Sequence, residues 1–422
     1  MGTPAMREGR LVTEMARQPS SGPSGRIEAV DAVRGLAVFM MVFSHGLHWL
    51  YVGTSHDVFS WAGLSVGDLA APVFFVVAGV ALRFSLRSRL QAPGAGPDHV
   101  WRTHRRRFRQ LFMLGVPISV LWGVLQAQAL ALTVVAWAAL RPAPCARTVD
   151  DQQAARGEHT YTLKTARGFA LSAAALAGHV AVSRLWPGAA DWPLAGGLVH
   201  GAFPAGAVLA LVAFGFGFGG LMREHRLTRQ GAAGGLAAGG AALAAVWAGG
   251  DMQRAGMPPA YLLLGAALTM TALSVFHARP VRRTAPVRFL ARIGRRALFL
   301  FLAHYVVLVV LAFGFGWWNG LPKPAAVAAA AGVTAVTGVL GARFALDARA
   351  IYGALDRWEA RLASSRPARA AVQAASRPRS FTAAGTSLPL RHGPGGAPLD
   401  PADIAVHPMD RVFEVAARLQ LS

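Results

Sequence analysis

Two histidines stand inside runs of the sequence that carry almost no other ionisable group. His45 ends the stretch "VDAVRGLAVFMMVFSH" (30–45), and His304 lies within "ALFLFLAHYVVLVV" (297–310). An ionisable side chain in so apolar a run is a functional-site candidate by default. Imidazole titrates near neutral pH, so it can take and return a proton or attack as a nucleophile. A carboxylate, Asp68, sits at the start of a third apolar run, "GLSVGDLAAPVFF" (63–75), and His56 lies in the loop before it. Asp31 and Arg34 are three residues apart, on one helix face at the opposite mouth of the first run from His45. Two readings of that pair are open: an anchoring ion pair with a snorkelling arginine, or an arginine that meets a phosphate-bearing cofactor. His45 lies eleven residues further on, about 16 Å along a helix at 1.5 Å per residue. His48, one turn later, falls at the boundary of the run.

These residues need a scaffold, and composition says which kind. Of 422 residues, 54% are hydrophobic and only 15% charged, and the mean hydropathy is +0.40. Soluble domains run near a quarter charged, so this is the make-up of an integral membrane protein. The apolar residues gather into stretches long enough to cross about 30 Å of hydrocarbon. The expected fold is an all-α, polytopic helical bundle of about ten spans: 28–51, 66–86, 107–122, 124–140, 167–186, 198–221, 231–249, 259–277, 296–316 and 324–345. Residues 107–140 are short for two crossings and long for one, and contain Pro117. Two short helices with a turn near Trp122 and Gly123 keep the basic loop 222–230 on the same side as the other basic loops.

The formal net charge of +22 raises nucleic acid as a partner. The distribution argues against it. The basic residues fall in short segments between apolar runs, as in "WRTHRRRFRQ" (101–110) and "RPVRRTAPVRFLARIGRR" (279–296), with no nucleic-acid-binding motif. That is the positive-inside pattern, and it places both termini in the cytoplasm and the chain in a cell inner membrane. Membrane lipid is the expected partner. Residues 1–25 carry no signal-peptide core and read as a disordered cytoplasmic segment. Residues 26–346 form the membrane domain, and 347–422 a mostly disordered cytoplasmic tail. One cysteine, Cys145, excludes an internal disulfide and a thiolate metal cluster, and no metal is expected.

The first two runs resemble a known family. Asp31, Arg34-Gly35, the Met40-Met41 helix, His45, then Trp61-Ala-Gly63-Leu64-Ser65, Asp68 and Pro72 follow the amino-terminal pattern of the heparan-alpha-glucosaminide N-acetyltransferase catalytic family. That family lies within a broader group of multi-spanning membrane acyltransferases. "IGRRALFLFLAHYVVLVV" (293–310) resembles the late Gly-Arg…His helix of the same group. The resemblance implies an enzyme that takes an acyl group, typically acetyl, from acyl-CoA on the cytoplasmic side. It implies an acceptor that is a glycan or another amine or hydroxyl, approaching from the other face. In the animal members a histidine stands three residues before the tryptophan of the Trp-x-Gly-Leu motif; here that position is Val58. The base or acyl carrier is then His45 in the first place, with His56 and His304 as further candidates. Arg34, Arg295 and Arg296 are the candidates for the cofactor's phosphates.

Two roles are open for Asp68: capping the second helix, or orienting His45 or His56 and binding the acceptor. Trp61 is an interface anchor or a platform for a sugar ring. His200, Asp191 and Trp192 are weaker candidates for an outward acceptor site. "FGFGFGG" (214–220) lacks the context of a phosphate loop and reads as small residues for close helix packing. A transporter or exporter of a glycan or lipid-linked substrate is the alternative from another class, although no inverted repeat is visible. A scaffold without catalysis is the third reading, kept open by Val58.

Overall fold

A computed structural model of the chain describes residues 27–53, 58, 60–61, 64–92, 96–119, 122–141, 164–222, 233–241, 244, 256–343 and 348–364. Helix α1 spans Glu28–Leu50. A two-residue hairpin, β1 (Ser60–Trp61) and β2 (Leu64–Ser65), leads into α2 (Ala70–Leu90). Then follow α3 (Pro97–Gly115), α4 (Val124–Leu140), α5 (Thr165–Leu185), the short α6 (Pro193–Val199) and α7 (Ala205–Leu221). After a helical stretch over 233–241 come α8 (Pro259–His277), α9 (Ala285–Gly294), α10 (Ala297–Val309) and α11 (Lys323–Arg343). The bundle is all-α, and the described strands are limited to that one hairpin.

Among the described residues six helices are long and apolar enough to cross a membrane: α1, α2, α5, α8, α10 with its continuation to Gly314, and α11. The apolar α4 and α7 are shorter. The expected count of ten is therefore not reached among the described residues. The main difference lies at 107–122. A helix does form there, but it starts at Pro97, carries the basic cluster and ends at Gly115, two residues before Pro117. Proline lacks an N–H and clashes with the preceding turn, which accounts for the stop. Residues 231–249 are described only in part.

Helix α1 is the hub. One side packs Val30, Val33 and Ala37 against Val73, Val77 and Val80 of α2, Phe218 of α7 and Leu273 of α8. The other side packs Val38, Val42 and Leu50 against Ile293, Ala297, Leu300, Leu308 and Val333. Lipid tails give no hydrophobic drive for helices to meet, so close backbone approach at small residues does much of the work. A Cβ on Gly35 would stand 2.1 Å from the Leu290 carbonyl oxygen, and one on Gly294 1.7 Å from that of Asp31. The α1–α9 crossing thus has room for glycine alone. The glycine-rich stretch of α7 does the same job: a Cβ on Gly215 would meet the Val76 oxygen at 2.0 Å, and one on Gly79 the Val212 oxygen at 2.0 Å.

A second unit of the chain begins at Arg349. Its described part lies in an amphipathic helix, α12 (Ala348–Ser364), at the start of the tail that reads from composition as mostly disordered.

Candidate functional site

Helix α10 brings His304 to His45. The Nδ1 of His45 and the Nε2 of His304 are 2.9 Å apart, and the two rings stack with centroids 5.1 Å apart. The other nitrogen of His304, Nδ1, lies 3.1 Å from the Leu300 carbonyl one turn earlier. A carbonyl can only accept, so with both rings neutral His304 carries its proton on Nδ1 and offers a lone pair at Nε2. His45 then donates from Nδ1, which leaves the basic lone pair of His45 on Nε2. The order of protons is fixed by one backbone carbonyl.

The two rings differ in access. His304 is fully buried and His45 half-buried. His45 is thus the more exposed ring, and His304 sits behind it. Tyr305 completes the cluster, with its ring 4.3 Å from that of His304 and 5.5 Å from that of His45.

Of the two roles open for Asp68, the cap of the second helix is not formed by its side chain. Helix α2 begins after Leu69 with no side-chain capping bond. The buried Asp68 carboxylate instead turns back: its Oδ2 accepts from the Ser65 backbone N–H and the Ser65 hydroxyl, both at 2.8 Å. The hydroxyl of the buried Tyr261 donates to the Asp68 backbone carbonyl. These bonds lock the 65–68 turn, and Gly67 lets that turn lie directly on Ser44, where a Cβ would come within 1.9 Å of the serine side chain. The second motif thus braces α1 one residue from His45.

Val58 packs with Leu47 of α1 and Ala326 and Ala330 of α11. The position that holds histidine in the animal members of the family is here an apolar contact against the same end of α1. His56 lies outside the described residues, as do the side-chain surroundings of Trp61. His48 is exposed, and His200 closes its own loop by donating from Nε2 to the Trp186 carbonyl at 3.1 Å.

At the other end of α1, Arg34 Nη1 pairs with Asp31 Oδ1 at 3.1 Å, and Asp31 is buried. Arg295 is exposed. Arg296 donates through Nη1 to the Gly341 carbonyl near the end of α11, where unpaired helix carbonyls favour a cation. Among the described residues no group of three or more His, Cys, Asp or Glu side chains comes together.

Sequence reasoning placed the site between the first, second and ninth spans, which carry His45, Asp68 and His304, but did not bring the two imidazole rings into contact. It assigned no role to Tyr261 or Tyr305, tyrosines in otherwise apolar helices.

The comparisons cover the amino-terminal part of the chain. The heparan-alpha-glucosaminide N-acetyltransferase of Mus musculus is 33% identical over 94 residues, which is 22% of this chain and 13% of the mouse protein. The match spans about an eighth of that relative's length, and α10 lies outside the region matched by the family. Residues 26–139 match the family described as heparan-alpha-glucosaminide N-acetyltransferase, catalytic, as the motifs from Asp31 to Pro72 imply.

Proposed function

We propose that this chain is a membrane acyltransferase that moves an acyl group, typically acetyl, from acyl-CoA to the amine or hydroxyl of a glycan or similar acceptor. The observation that carries the reading is the His45–His304 pair, with its proton order set by Leu300 and His45 the more exposed of the two rings. It stands at the end of a helix whose sequence matches an acetyltransferase catalytic family.

The chemistry follows from the pair. The acceptor nitrogen or oxygen attacks the thioester carbonyl while its proton passes to Nε2 of His45. General base assistance of this kind is typically worth about 10²–10⁴-fold in rate. The imidazolium that forms is held by its Nδ1–H bond to His304, which becomes charge-assisted and stronger as the ring gains its proton. Collapse of the tetrahedral intermediate breaks the carbon–sulfur bond, and the same proton leaves on the CoA thiol. In the variant pathway, His45 Nε2 attacks the thioester itself and carries the acyl group to the acceptor. The cytoplasmic end of α1 supplies Arg34, eleven residues and about 16 Å along the helix from His45, and Arg295 lies next to the α1–α9 crossing; these are the proposed phosphate contacts. That distance suits a long cofactor laid along one helix.

The test uses purified protein in vesicles with radiolabelled acetyl-CoA and an amino sugar. Label should reach the sugar with wild type and not with His45→Ala. Equal transfer by both proteins excludes His45. Quenched wild-type protein that retains label only while His45 is present identifies the acyl-histidine route.

A further inference from the structure

Beyond His45 the rings continue outward. Trp49, one turn further along α1, meets Tyr305 at 6.1 Å, and Trp318 stands edge-on to it at 5.0 Å between centroids. Trp318 in turn stacks on Phe313 at 5.3 Å and 16°, and Phe313 also touches the edge of Trp49 at 6.4 Å. An unbroken series of aromatic contacts therefore runs from the half-buried imidazole to a stacked pair whose members are 45% and 65% exposed, Trp318 and Phe313.

The backbone is built to hold that pair. Helix α10 widens into a π turn over Val310–Gly314, a feature often found at functional sites. The chain then reverses through two residues with positive φ, Gly316 at 69° and Asn319 at 48°. Asparagine is one of the few side chains that tolerate this region. The Asn319 N–H donates to the Trp49 carbonyl at 3.0 Å and the Leu321 N–H to that of Leu50 at 2.9 Å. The reversal is thus tied to the end of α1, with Trp318 placed on Trp49. Tryptophans that only anchor a protein at the membrane surface need no such series of contacts back to a buried site.

We infer that Trp49, Phe313 and Trp318 form the acceptor subsite, a shelf on which the apolar face of an amino-pyranose stacks so that its amine points toward His45. The inference rests on the acyltransferase reading and assigns residues outside the matched region. Aromatic faces give flat contact with few conformations to freeze, which suits a rigid ring. Specificity then favours sugars whose C–H bonds share one face, as in β-glucosaminides, over those with an axial hydroxyl on that face.

The test compares wild type, Trp318→Ala, Trp318→Phe and Phe313→Ala in lipid vesicles, with methyl β-glucosaminide as the acceptor. Both alanine variants should raise KM for the sugar tenfold or more while kcat falls less than threefold and KM for acetyl-CoA is unchanged. Trp318→Phe should recover most of the loss. Calorimetric binding of the same sugar to His45→Ala protein, weakened by adding Trp318→Ala, supports the shelf even where no transfer occurs, which separates it from the chemistry. An unchanged KM overturns the inference. So does a fall in thermal stability with no change in sugar affinity, the result expected of a membrane-surface anchor, or the absence of sugar binding to both proteins.

Discussion

His45 and His304 are 259 positions apart in the chain, yet their ring nitrogens lie 2.9 Å from each other. The contact makes His304 a positioning residue, because it holds the proton of His45 on Nδ1 without meeting a reactant. Replacement of His45 by Ala should lower acyl transfer by at least about 10²-fold, the lower range of general base catalysis. His304→Gln should cost less, about tenfold, and change the pH dependence of kcat, since the amide can accept the His45 proton but cannot share its charge. His304→Leu should behave like the His45 variant in rate. Steady-state transfer across pH 5.5–9 checks all three, and an unaltered profile in His304→Gln removes the coupling.

The α1–α9 crossing makes a prediction about stability. Gly294→Ala pushes a methyl group to 1.7 Å from the Asp31 oxygen, which the two backbones relieve only by separating. Overpacking of this kind typically costs about 1–3 kcal/mol. Gly178→Ala in α5, where nothing lies within 4 Å of the added carbon, should instead gain up to about 1 kcal/mol from helix propensity. Thermal unfolding in detergent should therefore show opposite shifts in Tm for the same substitution at the two sites.

The long spans were legible because hydropathy alone defines them. Residues 124–140 and 259–277 are helices over the expected residues, and α1 ends one residue early. Helix α3 was not legible by that signal, because its arginines break the apolar run. The helical period was nevertheless present in Val100, His104, Phe108 and Leu111, all of which are buried while Arg102, Arg105 and Arg106 are exposed. The site was legible as a set of residue types and not as a set of contacts. The sequence put both histidines in one site between spans, but not their rings in contact, nor Asp68 facing back to Ser65 instead of forward into α2. Those pairings depend on the order in which helices pack, and glycines such as Gly67 and Gly294 set that order by where they permit contact.

His104 sits at the α2–α3 contact, outside the apolar spans, and is buried. Its Nδ1–H donates to the Val100 carbonyl at 2.9 Å, so its Nε2 accepts from the Ser85 hydroxyl at 3.2 Å. Burial is the main cause that pushes its pKa down to about 4, with Arg89 and Arg107 adding repulsion. The unfolded chain binds that proton more readily than the folded one. The stability tied to neutral His104 is therefore complete above about pH 6.5 and is lost as pH falls toward 4. The span corresponds to on the order of 3 kcal/mol. His104→Gln should flatten the acid limb of a Tm-against-pH curve measured from pH 7.5 to 4.5, at some cost in stability at neutral pH.

Arg34 has two candidate duties, and a double substitution separates them. It pairs with the buried Asp31. Arg34→Gln alone takes from that carboxylate its guanidinium, so a loss of activity on its own identifies nothing. Asp31→Asn removes the charge that needs the partner. If Arg34 binds a cofactor phosphate, KM for acetyl-CoA should rise about tenfold in Arg34→Gln and stay high in Arg34→Gln/Asp31→Asn, since one charge-assisted bond is worth roughly 1.5–3 kcal/mol. A purely structural pair predicts that the double variant recovers both thermal stability and KM. The phosphate duty also requires a salt-dependent KM in wild type that is weaker in both arginine variants, because attraction between exposed charges is screened within about 10 Å at 0.1 M salt.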